Sequence, residues 1–376
     1  MVAKRTAFAR ARKAAGYTQE TLAEAIGVDV TTVGNWESGK SEPQPYKRPK
    51  LAKLLNVSSS ELEDLLHRPS PHTAAQLADA PSTDDLRYRL QQVELAYNTA
   101  PSTSLLATAS QNHGQITYLQ SQVRSKRDRR DLVALEAESA VLMGQLVWDA
   151  SQRRDHQAPR KYFEQAVQAA RLSGDSVAEA YATLRTSYLA LYGDKAPAEG
   201  LAVAQRAADT AIDASPALAG LALLHVAEAN AMLGQRQQCD QALDDARQQL
   251  DRVHAVDTVA EHFTTAEIDR LAGSCYLFLG LSKRAEATLR SVACELESKK
   301  KSQSIVLGNL TLAYIQQGEL HEAARSLHQT IDALETSRGG GGFALAFEAG
   351  RKLAPWRQEV AVQELHDRLF TLMATP

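Results

Sequence analysis

The sequence contains little of what supports metal binding, redox chemistry or membrane insertion. Its 376 residues include three cysteines, Cys239, Cys275 and Cys294, which lie far apart without a C-x-x-C pair. We interpret them as small buried residues and expect no metal site. No run of about eighteen apolar residues occurs, and no apolar segment follows the basic N-terminus. We therefore expect no membrane span, no signal peptide and a cytoplasmic location.

Signatures of catalysis are missing as well. No nucleophile elbow, H-E-x-x-H pair or EF-hand loop occurs, and the glycine run 339–342 lacks the Lys-Ser/Thr of a phosphate-binding loop. We expect neither an enzyme nor a cofactor. The alternating pattern of strands is also absent, whereas Ala, Leu, Gln, Arg and Glu recur at helical spacing. The sequence thus predicts an all-α protein.

The segment Thr18–Gly39 predicts two short helices joined by a tight turn. Thr18 can cap the first helix, but Thr21 stands where a capping box has Glu or Gln, so we expect no full box. Gly27 can form the turn and Gly39 can end the second helix because glycine adopts left-handed conformations easily. Apolar side chains recur at helical spacing on both sides of the turn: Leu22, Ala23, Ile26, Val30, Val33 and Trp36.

The second helix of such a pair enters the DNA major groove in helix-turn-helix proteins. Its spacing turns Val33 and Trp36 inward and leaves Thr31, Thr32 and Asn35 outside. An asparagine amide can pair with adenine, and a threonine methyl group can contact thymine. These three side chains are therefore candidates for reading base edges.

From about Arg5 to Leu66 the chain resembles the Xre/Cro/C1 family of helix-turn-helix domains. The resemblance is carried by Tyr17-Thr18-Gln19, Leu22-Ala23, Val33, Trp36-Glu37-Ser38-Gly39-Lys40 and a closing helix with Leu51, Leu54 and Leu55. It implies a five-helix domain over residues 1–67. It also implies that Val30, Thr31, Thr32 and Asn35 contact bases, while Gln19, Ser38 and Lys40 contact phosphates.

Charge is distributed unevenly along the chain. Residues 1–53 hold ten basic and five acidic side chains, whereas the whole chain has a net charge of −3. A positive N-terminal segment on a negative remainder suits contact with a phosphate backbone, with salt-sensitive affinity.

Beyond the first domain, residues 68–84 are rich in Pro, Ser, Thr and Ala and predict a linker. Residues 85–376 predict a body of helices. Gly193, Gly234, Gly280 and Gly318 recur at intervals of 41, 46 and 38 residues, each with a small residue five positions later. Small residues where two helices cross are typical of stacked helical hairpins, although the intervals exceed the roughly 34 residues of an ideal tetratricopeptide repeat.

The repeats predict a right-handed tetratricopeptide-like solenoid with a concave groove. Placed in register, six side chains are candidates for binding a ligand there: Thr183, Ser187, Glu228, Arg270, Ser274 and Asn309. The layout resembles actinobacterial regulators with an Xre domain and a tetratricopeptide body. It is also similar to peptide-sensing quorum regulators, which implies a signal peptide or small effector in the groove and a homodimer formed by the repeats.

The leading interpretation is a sequence-specific transcriptional regulator that binds a palindromic operator as a homodimer and responds to an effector in its groove. The alternative is an interaction scaffold whose repeats recruit a protein partner to double-stranded DNA.

Overall fold

The computed structural model describes residues 5–66, 81–123, 125–337 and 340–374, and these form helices and loops without a strand. The chain divides into two compact units, residues 1–81 and residues 82–376, which we call the head and the body. Most of the predicted linker and Gly339 of the predicted glycine loop lie outside the described residues. The all-α class and the order of a helix-turn-helix domain before helical hairpins are confirmed.

The described residues of the head form five α-helices. They are α1 (Thr6–Ala14), α2 (Gln19–Ile26), α3 (Val30–Ser38), α4 (Arg48–Leu54) and α5 (Ser59–Leu66), with a 3-10 turn at Pro45–Lys47 before α4. Their apolar faces meet in one core: Phe8, Leu22, Ala23, Ile26, Val33, Trp36, Leu51, Ala52, Leu55, Leu62 and Leu66. The core fixes which face of α3 remains outside.

The start of α2 corrects one expectation from the sequence. Thr18 accepts a hydrogen bond from the Thr21 amide, and the Thr21 hydroxyl accepts one from the Thr18 amide at 2.8 Å. A capping box is therefore present. A threonine hydroxyl can replace the usual Glu or Gln because it also presents an oxygen to the cap amide.

The body consists of antiparallel helices in sequence. They are α6 (Thr83–Tyr97), α7 (Ser102–Gln122), α8 (Lys126–Ala150), α9 (Gln157–Ser173), α10 (Ser176–Tyr188), α11 (Pro197–Ala211), α12 (Pro216–Met232), α13 (Arg236–Leu250), α14 (Thr265–Phe278), α15 (Ser282–Glu295), α16 (Lys300–Gln317), α17 (Leu320–Ser337), α18 (Gly342–Leu353) and α19 (Val360–Ala374). Helix α6 begins at Thr83, inside the segment that the sequence predicted as linker.

From α8 onward each helix packs against the next as a hairpin, and the first helices of successive hairpins also contact one another. This inner row consists of α8, α10, α12, α14, α16 and α18. Its central members are buried around nearly their whole circumference, as the run of buried residues from Ala217 to Ala222 in α12 illustrates. Stacked hairpins that touch most closely through their first helices give the body a concave side lined by those helices.

Three of the predicted helix-ending glycines, Gly234, Gly280 and Gly318, adopt left-handed φ angles of 72–77°. Gly193 differs, because α10 continues into a π-helical turn at Leu189–Gly193 and the left-handed residue is Lys195, with φ 55°. The extra residues shift the register of α11.

The shifted register makes part of the predicted repeat pattern wrong in this hairpin. Ala198, the small residue expected at the helix crossing, is exposed. The crossing is formed instead by Gly200, where an added Cβ would collide with a methyl carbon of Leu191. At the corresponding crossing of α14 and α15, Gly273 packs against Leu289 in the expected register.

The inner row turns far enough for distant segments of the body to meet. Lys301 at the start of α16 donates a hydrogen bond to Ser102 at 2.8 Å and lies 3.8 Å from the ring centre of Tyr97. The Tyr97 hydroxyl donates to Asp149 at 2.5 Å, and Arg153 pairs with the same carboxylate at 3.1 Å. We call these five residues the closure cluster. They join α6, α7 and α8 to α16.

Cys239 and Cys275 are buried as predicted, but Cys294 is exposed. In α19, Val362, Leu365 and Leu369 are buried, so the last helix covers the preceding hairpin with one face. Within the described ranges, no helix combines the length and apolar character that a membrane span requires.

Candidate nucleic-acid interface and the concave face

Helices α2 and α3 form the predicted pair around a short turn. Gly27 ends α2 with a left-handed φ of 75°, and Asp29 caps α3 by accepting hydrogen bonds from the amide and the hydroxyl of Thr31 at 2.8 and 2.7 Å. The same bonds lower the pKa of Asp29, so its carboxylate is ionised at neutral pH. Val33 and Trp36 are buried, which anchors α3 and directs its other face outward.

The residues predicted to contact bases lie on that outward face. Val30 and Thr31 are exposed, whereas Thr32 and Asn35 are partly exposed. Because the Thr31 hydroxyl is bonded to Asp29, the side chain presents its methyl group. The start of α3 therefore offers an apolar surface from Val30 and Thr31, with the Asn35 amide one turn further on.

The residues predicted to contact phosphates have different surroundings. Lys40 is exposed. The Ser38 hydroxyl donates to the Asn35 carbonyl at 3.2 Å, and the Gln19 amide donates to the Glu37 carboxylate at 2.5 Å. Gln19 is thus held against α3 by Glu37, a motif residue to which no role was assigned from the sequence.

A buried network around Glu37 fixes α3 to the rest of the head. Arg12 pairs with Glu37 at 2.7 Å and also donates to the Tyr17 carbonyl at 2.7 Å. Arg5 donates to the carbonyls of Trp36 and Ser41 and pairs with Glu42 at 2.8 Å. Both arginines are at most 8% exposed. Sequence reasoning counted them as positive charge for DNA, but their guanidinium groups are used inside the domain.

The charge available to a phosphate backbone therefore comes from other residues of the head. Among the described residues, the exposed cations are Arg10, Lys13, Lys40, Lys50 and Lys53. Lys47 is partly exposed and donates to the carbonyl of Gly27 at the turn between α2 and α3.

In the body, the structure brings some of the predicted groove residues together. Glu228 of α12 accepts a hydrogen bond from Ser274 of α14 at 2.6 Å. Arg270, one turn before Ser274, pairs with Glu267. The other three candidates, Thr183, Ser187 and Asn309, are buried within α10 and α16, and the Ser187 hydroxyl donates to its own helix at the Leu184 carbonyl.

Glu228 is the centre of a polar network that crosses three helices of the body. The Tyr192 hydroxyl donates to Glu228, and His225 Nδ1 lies 2.8 Å from the same hydroxyl. Burial lowers the pKa of His225, so the ring is neutral at pH 7. Burial disfavours ionisation of Glu228, but the contacts with His225, Ser274 and Tyr192 outweigh it and lower the pKa of Glu228.

An aromatic and cationic row on α10 was missed by sequence reasoning. Tyr181, Arg185, Tyr188 and Tyr192 follow one another at intervals of four, three and four residues. That spacing places side chains on one helical face, so it was a readable signal. The Arg185 guanidinium lies 4.8 and 5.1 Å from the ring centres of Tyr181 and Tyr188.

Two shallow clefts, of about 410 and 360 Å³, lie elsewhere on the body. One is lined by residues of the loop before α9 and of α9 itself, the other by residues of α15, α16 and α17 and the turn between the last two. Neither is lined by any of the six predicted groove residues.

The comparisons with known proteins bear most directly on the head. The sequence model of the helix-turn-helix family matches residues 8–62. No curated protein matches the sequence. Among solved structures, the chain is similar to a Rap protein complexed with competence and sporulation factor, with 10% sequence identity and a TM-score of 0.45 over 77% of this chain and 98% of that chain.

The head is therefore a helix-turn-helix domain of the Xre type, and the body is a set of tetratricopeptide-like helical hairpins. A domain of this kind is a DNA-binding module and indicates a DNA-binding regulator.

Proposed function

We propose that the protein is a sequence-specific transcriptional regulator that acts in the cytoplasm as a homodimer on a palindromic operator. The observation that carries the proposal is the outward face of α3, where Val30, Thr31, Thr32 and Asn35 remain accessible while Val33 and Trp36 are buried. The first residues of a recognition helix are the ones that reach base edges in the major groove.

Lys40, which is exposed directly after α3, contacts phosphate in this proposal, and Gln19 and Ser38 are the further phosphate candidates. One small domain contacts few base pairs, so it cannot select a unique site alone. A two-fold dimer reads two half-sites, with centres one helical turn or a multiple of it apart. The body supplies the dimer contacts in this proposal.

The body also binds an effector on its concave side. An effector that binds one arrangement of the hairpins more tightly than another would shift the population of that arrangement and thereby change operator affinity. The polar network around Glu228 and the row on α10 support this part of the proposal, because they place hydrogen-bonding groups on the inner helices.

Selection of bound fragments from a random duplex pool tests the proposal. The intact protein should enrich an inverted repeat, and the Thr31→Ala/Asn35→Ala double variant should not. Gln92→Ala, an exposed change on α6, should enrich the same repeat as the wild type. Enrichment of no sequence, or of the same sequence by the double variant, would contradict sequence reading by α3 and favour recruitment of a protein partner.

A further inference from the structure

We propose that the concave side of the body binds the free carboxylate of its effector at Arg185, between the rings of Tyr181 and Tyr188. The inference rests on the proposed control by an effector and assigns the chemical group that the site recognises. It concerns a residue outside the six groove candidates.

The Arg185 guanidinium is held between two tyrosine rings. Arg185 Nη2 donates to the Tyr181 hydroxyl at 2.5 Å, and the guanidinium lies against both tyrosine rings. A guanidinium carries five N–H donors and stays protonated in proteins. Arg185 is partly exposed, and a planar guanidinium held between two rings can bind a carboxylate with two parallel hydrogen bonds.

Arg185 lacks a paired carboxylate among the residues that the structure describes. Within the described parts of the chain, Arg185 has no ion pair, and its Nε has no hydrogen-bond partner. Arg270 on the next but one inner helix differs, because it is paired with Glu267. Glu94 of α6 is exposed and close enough for its charge to interact with Arg185, but the two side chains form no ion pair.

The Tyr188 ring beside Arg185 is held in place by residues of neighbouring helices. The ring centres of Tyr188 and His225 are 4.4 Å apart. His225 is bonded through Tyr192 to Glu228, which is bonded to Ser274. This network fixes the Tyr188 ring across α10, α12 and α14 without using Arg185. The described chain also leaves His225 Nε2 without a partner, so the site holds a second unused polar atom.

The charges around the site bear on the charge of the ligand. Glu94, Glu228 and Glu267 surround the two arginines, so the site as a whole is not strongly positive. A dianion such as phosphate would be repelled by these carboxylates, whereas a single carboxylate adds one charge at Arg185, which has no ion pair among the described residues. The carboxylate can belong to a small organic acid or to the C-terminus of a short peptide.

Thermal unfolding of the full-length protein at constant ionic strength tests the site. The probes are sodium acetate, sodium benzoate, inorganic phosphate, a pool of random pentapeptides with free C-termini and the same pool amidated, each compared with chloride. We expect the free-carboxylate probes to raise Tm and phosphate and amidated peptides to behave as chloride. A larger effect of benzoate indicates a small acid, and a larger effect of the free peptides indicates a peptide terminus. If all probes behave as chloride, the proposal is wrong.

Three variants decide whether Arg185 is responsible. Arg185→Gln should weaken binding of the effective probe roughly tenfold to hundredfold, and Arg185→Lys should weaken it less, because it keeps the charge but loses the fork. Arg290→Gln on α15 is the control, since that guanidinium is exposed and its glutamate partner lies on its own helix. Unchanged binding by both Arg185 variants would overturn the assignment.

The outcome is separable from that of the proposed function. If carboxylates bind at Arg185 but leave operator affinity unchanged, the site stands and control of DNA binding by this ligand fails. If the head selects an operator but no carboxylate binds, the regulator stands and the Arg185 site fails.

Discussion

Arg5 and Arg12 of the head have different surroundings from Arg185 of the body. In the head, Arg5 and Arg12 are paired with Glu42 and Glu37 and also bonded to backbone carbonyls. In the body, Arg185 is stacked between tyrosines without a carboxylate partner among the described residues. A buried guanidinium paired with a carboxylate holds structure together, whereas Arg185 has no such partner in the described chain, which is the difference on which its proposed binding role rests.

The largest expected effect comes from removing the carboxylate partner of a buried arginine in the head. Glu37→Ala removes the partner of Arg12, whose side chain is 8% exposed, and also the acceptor of the Gln19 amide. Breaking a buried pair from one side costs roughly 3–5 kcal/mol because the remaining charge cannot be solvated. We expect the head of the Glu37→Ala variant to unfold at a lower temperature than the head of the wild type and below the transition of the body, as measured by calorimetry.

The exposed change Glu24→Ala on α2 serves as the control for that experiment and should leave the transition of the head unchanged. Equal stability of Glu37→Ala and Glu24→Ala would show that the Arg12 pair contributes nothing, and the distinction between the two regions would fail.

A pH-dependent effect is expected from the closure cluster of the body. Burial lowers the pKa of Lys301 to about 8, although Asp149 opposes the shift, while Arg153 adds to it. Between that value and the ordinary lysine pKa near 10.5 the unfolded chain binds the proton and the folded chain does not. The free energy of unfolding should therefore rise with pH from about 8 to about 10, by at most roughly 1.4 kcal/mol per pH unit.

Urea unfolding of the wild type and of Lys301→Met across this pH range measures that contribution. As pH rises, the free energy of unfolding of the wild type should increase relative to that of Lys301→Met. Lys300→Met is the matched control, since Lys300 is only partly buried and should follow the wild type at every pH. If the three proteins show the same dependence of unfolding free energy on pH, burial does not lower the pKa of Lys301 and the prediction is wrong.

A smaller effect is expected on the outward face of α3. Because the Thr31 hydroxyl is bonded to Asp29, the methyl group is the part that faces outward. Thr31→Val keeps a methyl group at that position and should bind the selected operator within about twofold of the wild type. Thr31→Ser loses the methyl group and should bind several-fold more weakly, corresponding to about 1 kcal/mol for one apolar base contact.

Fluorescence anisotropy with the selected operator at two salt concentrations would measure both variants. The salt dependence should be the same for both, because neither changes a phosphate contact. If Thr31→Ser binds like the wild type and Thr31→Val does not, the hydroxyl is the reading group and the cap geometry changes on DNA.

Much of the head could be predicted because its signals are short. Gly27 and Gly39, the caps and the spacing of Val33 and Trp36 all act within one or two turns of helix. The prediction of no capping box at Thr21 was wrong because it asked for Glu or Gln and overlooked that a hydroxyl can accept the same bond. The role of Glu37 could not be predicted, since its partners Arg12 and Gln19 come from other helices.

In the body, the hairpins and their glycine ends were predicted, but the register of α11 was wrong. The π-helical turn at Leu189–Gly193 adds residues that no glycine spacing reveals. The groove candidates came from that spacing alone, and they include Ser187, whose hydroxyl is bonded to its own helix. Their role in binding a ligand stays a prediction.

The sequence by itself determined that the chain is helical, where the helix-turn-helix lies and which face of α3 points outward. Those features depend on caps, turns and periodicity, which are interactions between near neighbours in the chain. Only the tertiary structure decided which charges are paired, because Lys301 meets Ser102 across 199 residues and Arg185 meets no carboxylate in the described chain. Pairing between residues so far apart in the chain depends on how the hairpins stack, so the local sequence does not predict it.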